Sequence, residues 1–238
     1  MKIKYLFLII IAVLITVGAV YSLSNQITND KLGSNIKESH SYLGSDDKGH
    51  VTKEVYYHSG ASGPKIAIIT GMHPREISAK TVVPEVIKDY VSNNDVEIVN
   101  YQINVTNDPG NFKIGRHNGE GLVAKYVIPD IAKSNYNLVI ICHNHRQGYG
   151  NGYYIATPTM DSKSVSLAES VHNLLPGFNY YKRNVDQKPE ETSIKGVDAP
   201  IVSTGTPVFV YEAPEWLNNS DVYDNTDRLI NVCFKVIG

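Results

Sequence analysis

Apolar positions in this chain follow three rhythms. The first is an unbroken, charge-free run of 19 residues, YLFLIIIAVLITVGAVYSL, over 5–23. As a helix it would be about 28 Å long, close to the roughly 30 Å of a hydrocarbon core. Lys2 and Lys4 precede it, and positive charge stays on the cytoplasmic side, so everything after residue 23 is expected outside the cytoplasm. Residues 1–23 read as a single-pass membrane anchor. If Val17-Gly18-Ala19 acts as a small-residue cleavage site, they are a signal peptide and the protein is secreted. Over 24–50 the chain turns polar and loses periodicity, which predicts a linker.

The second rhythm is short, nearly continuous apolar stretches rich in β-branched residues: EVYYH at 54–58, KIAIIT at 65–70, VEIVNYQINV at 96–105, NLVIICHNH at 137–145, YYIATP at 153–158 and TPVFVYEA at 206–213. These predict strands, and the stretch at 137–145 suits a strand covered on both faces. The third rhythm is helical. It covers 79–93, where Pro84 marks either a start or a bend, then 121–134, about 162–175 and about 219–236. Strands alternating with helices predict an α/β fold over 51–238, a three-layer sandwich with a mostly parallel or mixed central sheet.

Composition narrows the possible partners. An apolar content of 42% and a net charge of −2 over 238 residues describe an ordinary globular chain. Without Lys2 and Lys4 there are 20 basic and 24 acidic residues, a charge of −4, so no basic surface is expected for nucleic acid. Cys142 and Cys233 are too few for a disulfide framework and are expected as free buried thiols.

In open α/β sheets ligands gather beyond the carboxyl ends of the strands. Three such ends carry candidate chemistry. After KIAIIT comes Gly71-Met72-His73-Pro74-Arg75-Glu76. On a helical turn, positions three apart put His73 and Glu76 on one face, able to close on one metal ion. The bland alternative is a Glu76 that only caps the following helix. The second end is Cys142-His143-Asn144-His145, where His143 and His145 share one side and either can add a third ligand. Two histidines and one glutamate form an established catalytic zinc set with a position left for water.

The third end, Val208-Phe209-Val210-Tyr211-Glu212, supplies a general base for water, with Glu215 in reserve. Arg116 is the cation expected at the developing oxyanion, while Arg146 and Arg75 suit a substrate carboxylate. Tyr149, Tyr153 and Tyr154 follow a glycine-rich turn and are candidates for a lid or pocket wall. Cys142 with a neighbouring histidine would make a thiol hydrolase, but adjacent strand residues face opposite ways.

Together these residues resemble the zinc carboxypeptidase superfamily, and more closely its succinylglutamate desuccinylase and aspartoacylase-like branch, over most of 65–216. There a strand leads into Gly-x-His-x-x-Glu, here Gly71 to Glu76, which gives two zinc ligands. A later strand ends in His followed by Asn or Ser, here His143-Asn144, so the resemblance favours His143 over His145. An Asn-Pro stretch before an arginine is echoed by Asn107-Asp108-Pro109 and Arg116, and a late strand carries the catalytic glutamate, here Glu212. Two departures stand out. No clear Asn-Arg pair for a substrate carboxylate is present, and Ile141 stands where the family usually has Asp two residues before the third ligand.

The resemblance implies one Zn2+ per chain on His73, Glu76 and His143, with Glu212 and Arg116 catalytic. Arg146, Asn118, Asn144 and Tyr153 are the expected substrate contacts. The implied activity is hydrolysis of an amide bond in a peptide or an N-acyl amino acid, with cell-wall peptide among the candidates. The rival expectation is a membrane-anchored protein of the same fold that binds zinc or peptide without turnover.

Overall fold

The computed structural model describes residues 36–238 except 59, 61, 185 and 187–191. The apolar run 5–23 lies outside the described residues. Among the described residues, no helix is long and apolar enough to cross a membrane.

The chain opens with β1 (Ile36–Asp46) and β2 (Gly49–His58), which lie side by side at one edge of the sheet. Residues 36–46 fall within the stretch read as linker. The side chains of β1 are mostly exposed, so no alternation of apolar residues announced a strand there. Then come β3 (Lys65–Thr70), α1 (Ile77–Asn93), β4 (Glu97–Val105) and α2 (Phe112–Leu122). A wider π-helical turn, Val123–Val127, carries α2 into the short α3 (Ile128–Ile131). After β5 (Leu138–His145) the chain forms β6 (Tyr154–Thr157), α4 (Ser162–Leu174) and β7 (Asn179–Lys182). A second π-turn (Ile194–Asp198), α5 (Ala199–Ser203), β8 (Val208–Pro214) and α6 (Asn219–Ile237) complete it.

Among the described residues eight strands form one mixed sheet in the order β1-β2-β4-β3-β5-β8-β6-β7. β4, β3, β5 and β8 are adjacent and mutually parallel, flanked by antiparallel pairings of β2 with β4 and β6 with β8. Four neighbouring strands therefore end on the same edge. This brings sequence positions near 73, 107, 145 and 214 together.

Both faces of these strands are buried, as their unbroken apolar character requires. Ala67, Ile69, Tyr101, Val139 and Ile141 pack with Leu122, Val127, Ile131 and Ile201. Their strand neighbours Ile66, Ile68, Ile140 and Phe209 point the other way and are equally buried, on the side where α1 and α6 pack together. Each fully buried isoleucine contributes about 1.5–3 kcal/mol.

α1 covers the expected 79–93, while α2 departs from expectation. α1 runs through Pro84 from Ile77. Its stripe of Ala79, Val82, Val83, Val86, Ile87, Tyr90 and Val91 is buried on both sides of the proline, and that burial offsets the one lost backbone hydrogen bond. α2 starts at Phe112, nine residues before the expected 121. The Asn111 side chain caps it by accepting from the Lys113 and Ile114 N–H groups.

Candidate active site

The turn between β3 and α1 is built on glycine. Gly71 has φ +74°, and a side chain there would lie 2.4 Å from the Ile103 carbonyl oxygen, so only glycine fits. The next residues rest on α2. A Cβ at Gly119 would lie 1.7 Å from the Met72 carbonyl oxygen, and one at Gly115 would lie 2.9 Å from the Pro74 ring. One turn apart, these two glycines make a flat strip on α2 against which Met72 to Pro74 is set, and this fixes where His73 points.

Glu76 occupies the N-cap position of α1, yet its side chain makes no capping hydrogen bond. Its carboxylate is instead shared by two imidazoles, with Oε1 2.9 Å from His73 Nδ1 and Oε2 2.6 Å from His143 Nδ1. The two rings stack with centroids 4.3 Å apart. The ligand atoms of His73, Glu76 and His143 lie within 4.8 Å of one another. Burial alone would raise the Glu76 carboxyl, but His143 and then His73 outweigh it and hold that carboxyl well below the usual carboxylate range.

The second nitrogen of His73 faces a carboxylate. Nε2 lies 3.5 Å from Oε1 of Glu120, a buried carboxylate on α2. Sequence reasoning passed over Glu120. The available signal was its spacing of four from Arg116, which on a helix puts both on the face toward the His73 turn. A carboxylate behind a ligating histidine fixes the tautomer that leaves the other nitrogen free. Burial works against a charged His73, yet Glu120 and Glu76 raise its pKa above the ordinary value. Two imidazole nitrogens and a carboxylate oxygen, already convergent and with a second carboxylate behind one of the imidazoles, fit a divalent metal ion. Glu120→Ala is expected to weaken metal binding about 10–100-fold in a titration against a competing chelator. An unchanged affinity would remove Glu120 from the support of His73.

Glu212 lies on β8 directly beside His143 of β5 in the parallel register, with Tyr154 of β6 on its other side. Arg116 reaches back from α2, with Nη1 3.8 Å from Glu76 Oε1. All of these face a cleft of about 750 Å³, whose wall also carries Asn144, Arg146, Tyr149, Tyr154 and Glu215.

Other expected residues sit differently. His145 lines the cleft, but its ring nitrogens are engaged by the Arg146 and Gly152 carbonyl oxygens at 3.2 and 2.9 Å, so His143 is the histidine that converges with His73 and Glu76. Asn144 borders the cleft while its amide works inside the fold, accepting from Ala79 N–H and donating to Ala213 C=O. Asn118 is buried and donates to the Asn107 carbonyl oxygen. Tyr153 is stacked against Phe178 and Tyr211 in the interior, and it is the next residue, Tyr154, that borders the cleft. Cys142 is buried, and burial pushes its thiol well above the usual value; with Cys233 it is a free interior thiol, which leaves no thiol nucleophile in the cleft.

No family model matches this sequence, and no curated protein does either. Solved structures match it by fold. A protein assigned as a carboxypeptidase from Burkholderia mallei aligns with TM-score 0.62 at 14% identity, over 87% of this chain and 65% of its own. A metallo-carboxypeptidase from Burkholderia cenocepacia aligns with TM-score 0.55 at 13% identity, over 87% of this chain and 66% of its own. An aspartoacylase family protein from Mesorhizobium loti gives TM-score 0.55 at 12% identity, over 87% of this chain and 68% of its own. This chain thus spans about two thirds of the length of these three proteins. Its fold is the one that metallo-carboxypeptidases and aspartoacylase-family proteins share.

Proposed function

We propose that this protein is a zinc-dependent hydrolase that cleaves an amide bond in a peptide or an N-acyl amino acid outside the cytoplasm. One observation carries the reading. Three ligand atoms converge in a cleft at the end of parallel strands, with a glutamate beside them in register. His73, Glu76 and His143 would hold one zinc, which when bound supplies Lewis acidity toward a water and a carbonyl oxygen.

The chain's own groups do the rest. Glu212 takes a proton from the attacking water as the new carbon–oxygen bond forms, then delivers it to the departing nitrogen as the carbon–nitrogen bond breaks. The Arg116 guanidinium lies on the Glu76 side of the cleft and offers fixed positive charge to the carbonyl oxygen as it becomes negative. Arg146 and Tyr154 on the cleft wall orient the substrate. The apolar run 5–23 and the lysines before it support a domain held at, or released from, the outer membrane face. Cell-wall peptides are in reach there.

Removing the metal tests the reading. Hydrolysis across a panel of short peptides and N-acyl amino acids should vanish after chelation and return with added zinc. Turnover that survives complete chelation would sink it. Metal binding without turnover of any amide would favour a non-catalytic binding protein.

A further inference from the structure

The mouth of the cleft holds an unusual gathering of charge. The guanidinium carbons of Arg75, Arg116 and Arg146 lie 5.9, 5.3 and 5.5 Å from the centroid of one ring, Phe112. That ring is 51% exposed at the start of α2. Three cations around one neutral ring repel one another, and a cation–π contact at an exposed site returns only about 0.5–1 kcal/mol each. Arg116 has Glu76 within 3.8 Å. Among the described residues, no carboxylate lies within ion-pair distance of Arg75 or Arg146, and neither side chain donates a hydrogen bond. This happens in a chain whose net charge is −2.

Position adds to the charge. Arg75 adjoins Glu76, Arg146 is three residues past His143, and both line the cleft with them, so an anion held there shares the cleft with the bond to be cut. The cleft, at about 750 Å³, is in the upper part of the range that encloses drug-sized ligands, more than a single N-acyl amino acid fills. Building on the hydrolase reading, we propose that Arg75 and Arg146, both beside Phe112, form an anion subsite that selects peptides bearing an acidic side chain next to the scissile bond. The substrate class is then acidic peptides rather than simple N-acyl amino acids. The guanidinium forks grip the side-chain carboxylate, and its methylenes rest on the Phe112 ring.

Matched peptides test this. Glu-Ala-Ala, Ala-Glu-Ala and Ala-Ala-Glu are compared with their Gln counterparts, which differ only in charge, on the full-length zinc-loaded protein. At the best position the Glu member should lead in kcat/KM by about tenfold or more, the size of one charge-assisted hydrogen bond. The lead should shrink as salt rises. In Arg75→Ala/Arg146→Ala the Glu-to-Gln ratio should fall toward one. A ratio near one in the wild type, or one that persists in the double variant, overturns the proposal, as does a clear preference for N-acyl amino acids over every acidic peptide. Calorimetric binding of the same peptides to zinc-loaded Glu212→Gln separates the two readings. An arginine-dependent Glu preference in binding without any wild-type hydrolysis keeps the subsite and discards the hydrolase, whereas equal binding of Glu and Gln peptides discards the subsite.

Discussion

Glu212→Gln should lower amide hydrolysis by about 10²–10⁴-fold, the usual worth of a general base, with bound metal and thermal stability preserved. Glutamine keeps the size and one oxygen of the side chain but cannot take and return a proton. The candidate ligand atoms come from three other residues, and the β5–β8 pairing that sets Glu212 beside His143 is made by backbone groups. Rate and metal content therefore separate. Rates on a cleaved substrate, with elemental analysis and a melting curve on the same sample, check this. Near wild-type turnover would take Glu212 out of the mechanism, and joint loss of metal and rate would make it a structural partner of the site.

Gly119→Ala should be among the most damaging single methyl additions in the protein. The new carbon would sit 1.7 Å from the Met72 carbonyl oxygen and 2.8 Å from its carbon. Both are backbone atoms one residue before His73, so no side chain can swing aside. Either α2 or the His73 turn must shift. Overpacking typically costs about 1–3 kcal/mol and occasionally more, and here it also moves His73, a candidate metal ligand.

Gly121→Ala on the same helix provides the contrast. Its nearest neighbour would be the flexible end of Lys48 at 3.3 Å, and alanine favours a helix over glycine by about 0.5–1 kcal/mol. Denaturant unfolding and metal titration should show a damaged Gly119→Ala and a neutral or more stable Gly121→Ala. Equal behaviour of the two would mean that α2 does not brace the turn.

These glycines also show why the sequence was legible in some places and opaque in others. β3, β5 and β8 are buried on both faces, so their apolar runs stand out in the chain, and residues at their carboxyl ends line the cleft. His73, Glu76, His143 and Glu212 were singled out that way, and the structure brings all four to one cleft. α2 was read as starting too late because Gly115, Asn118, Gly119 and Gly121 are poor helix formers. Two of those glycines serve close packing against the His73 turn, a tertiary demand that leaves no local pattern.

Glu120 was passed over for the same reason, since it lies in the part of α2 not read as helix. Tyr153 and Tyr154 are adjacent, and choosing which of them meets the cleft requires the register of β6 on β8. The strand β1 borders solvent and draws its stability from pairing with β2, so its polar residues read as linker.

The central claim is a metal centre on His73, Glu76 and His143, and elemental analysis of the purified protein beside His73→Ala and His143→Ala tests it most directly. The account predicts close to one zinc per chain in the wild type and loss of it in both variants, with the fold retained by circular dichroism. A wild type that takes up no metal on reconstitution, or variants that keep full stoichiometry, would contradict it.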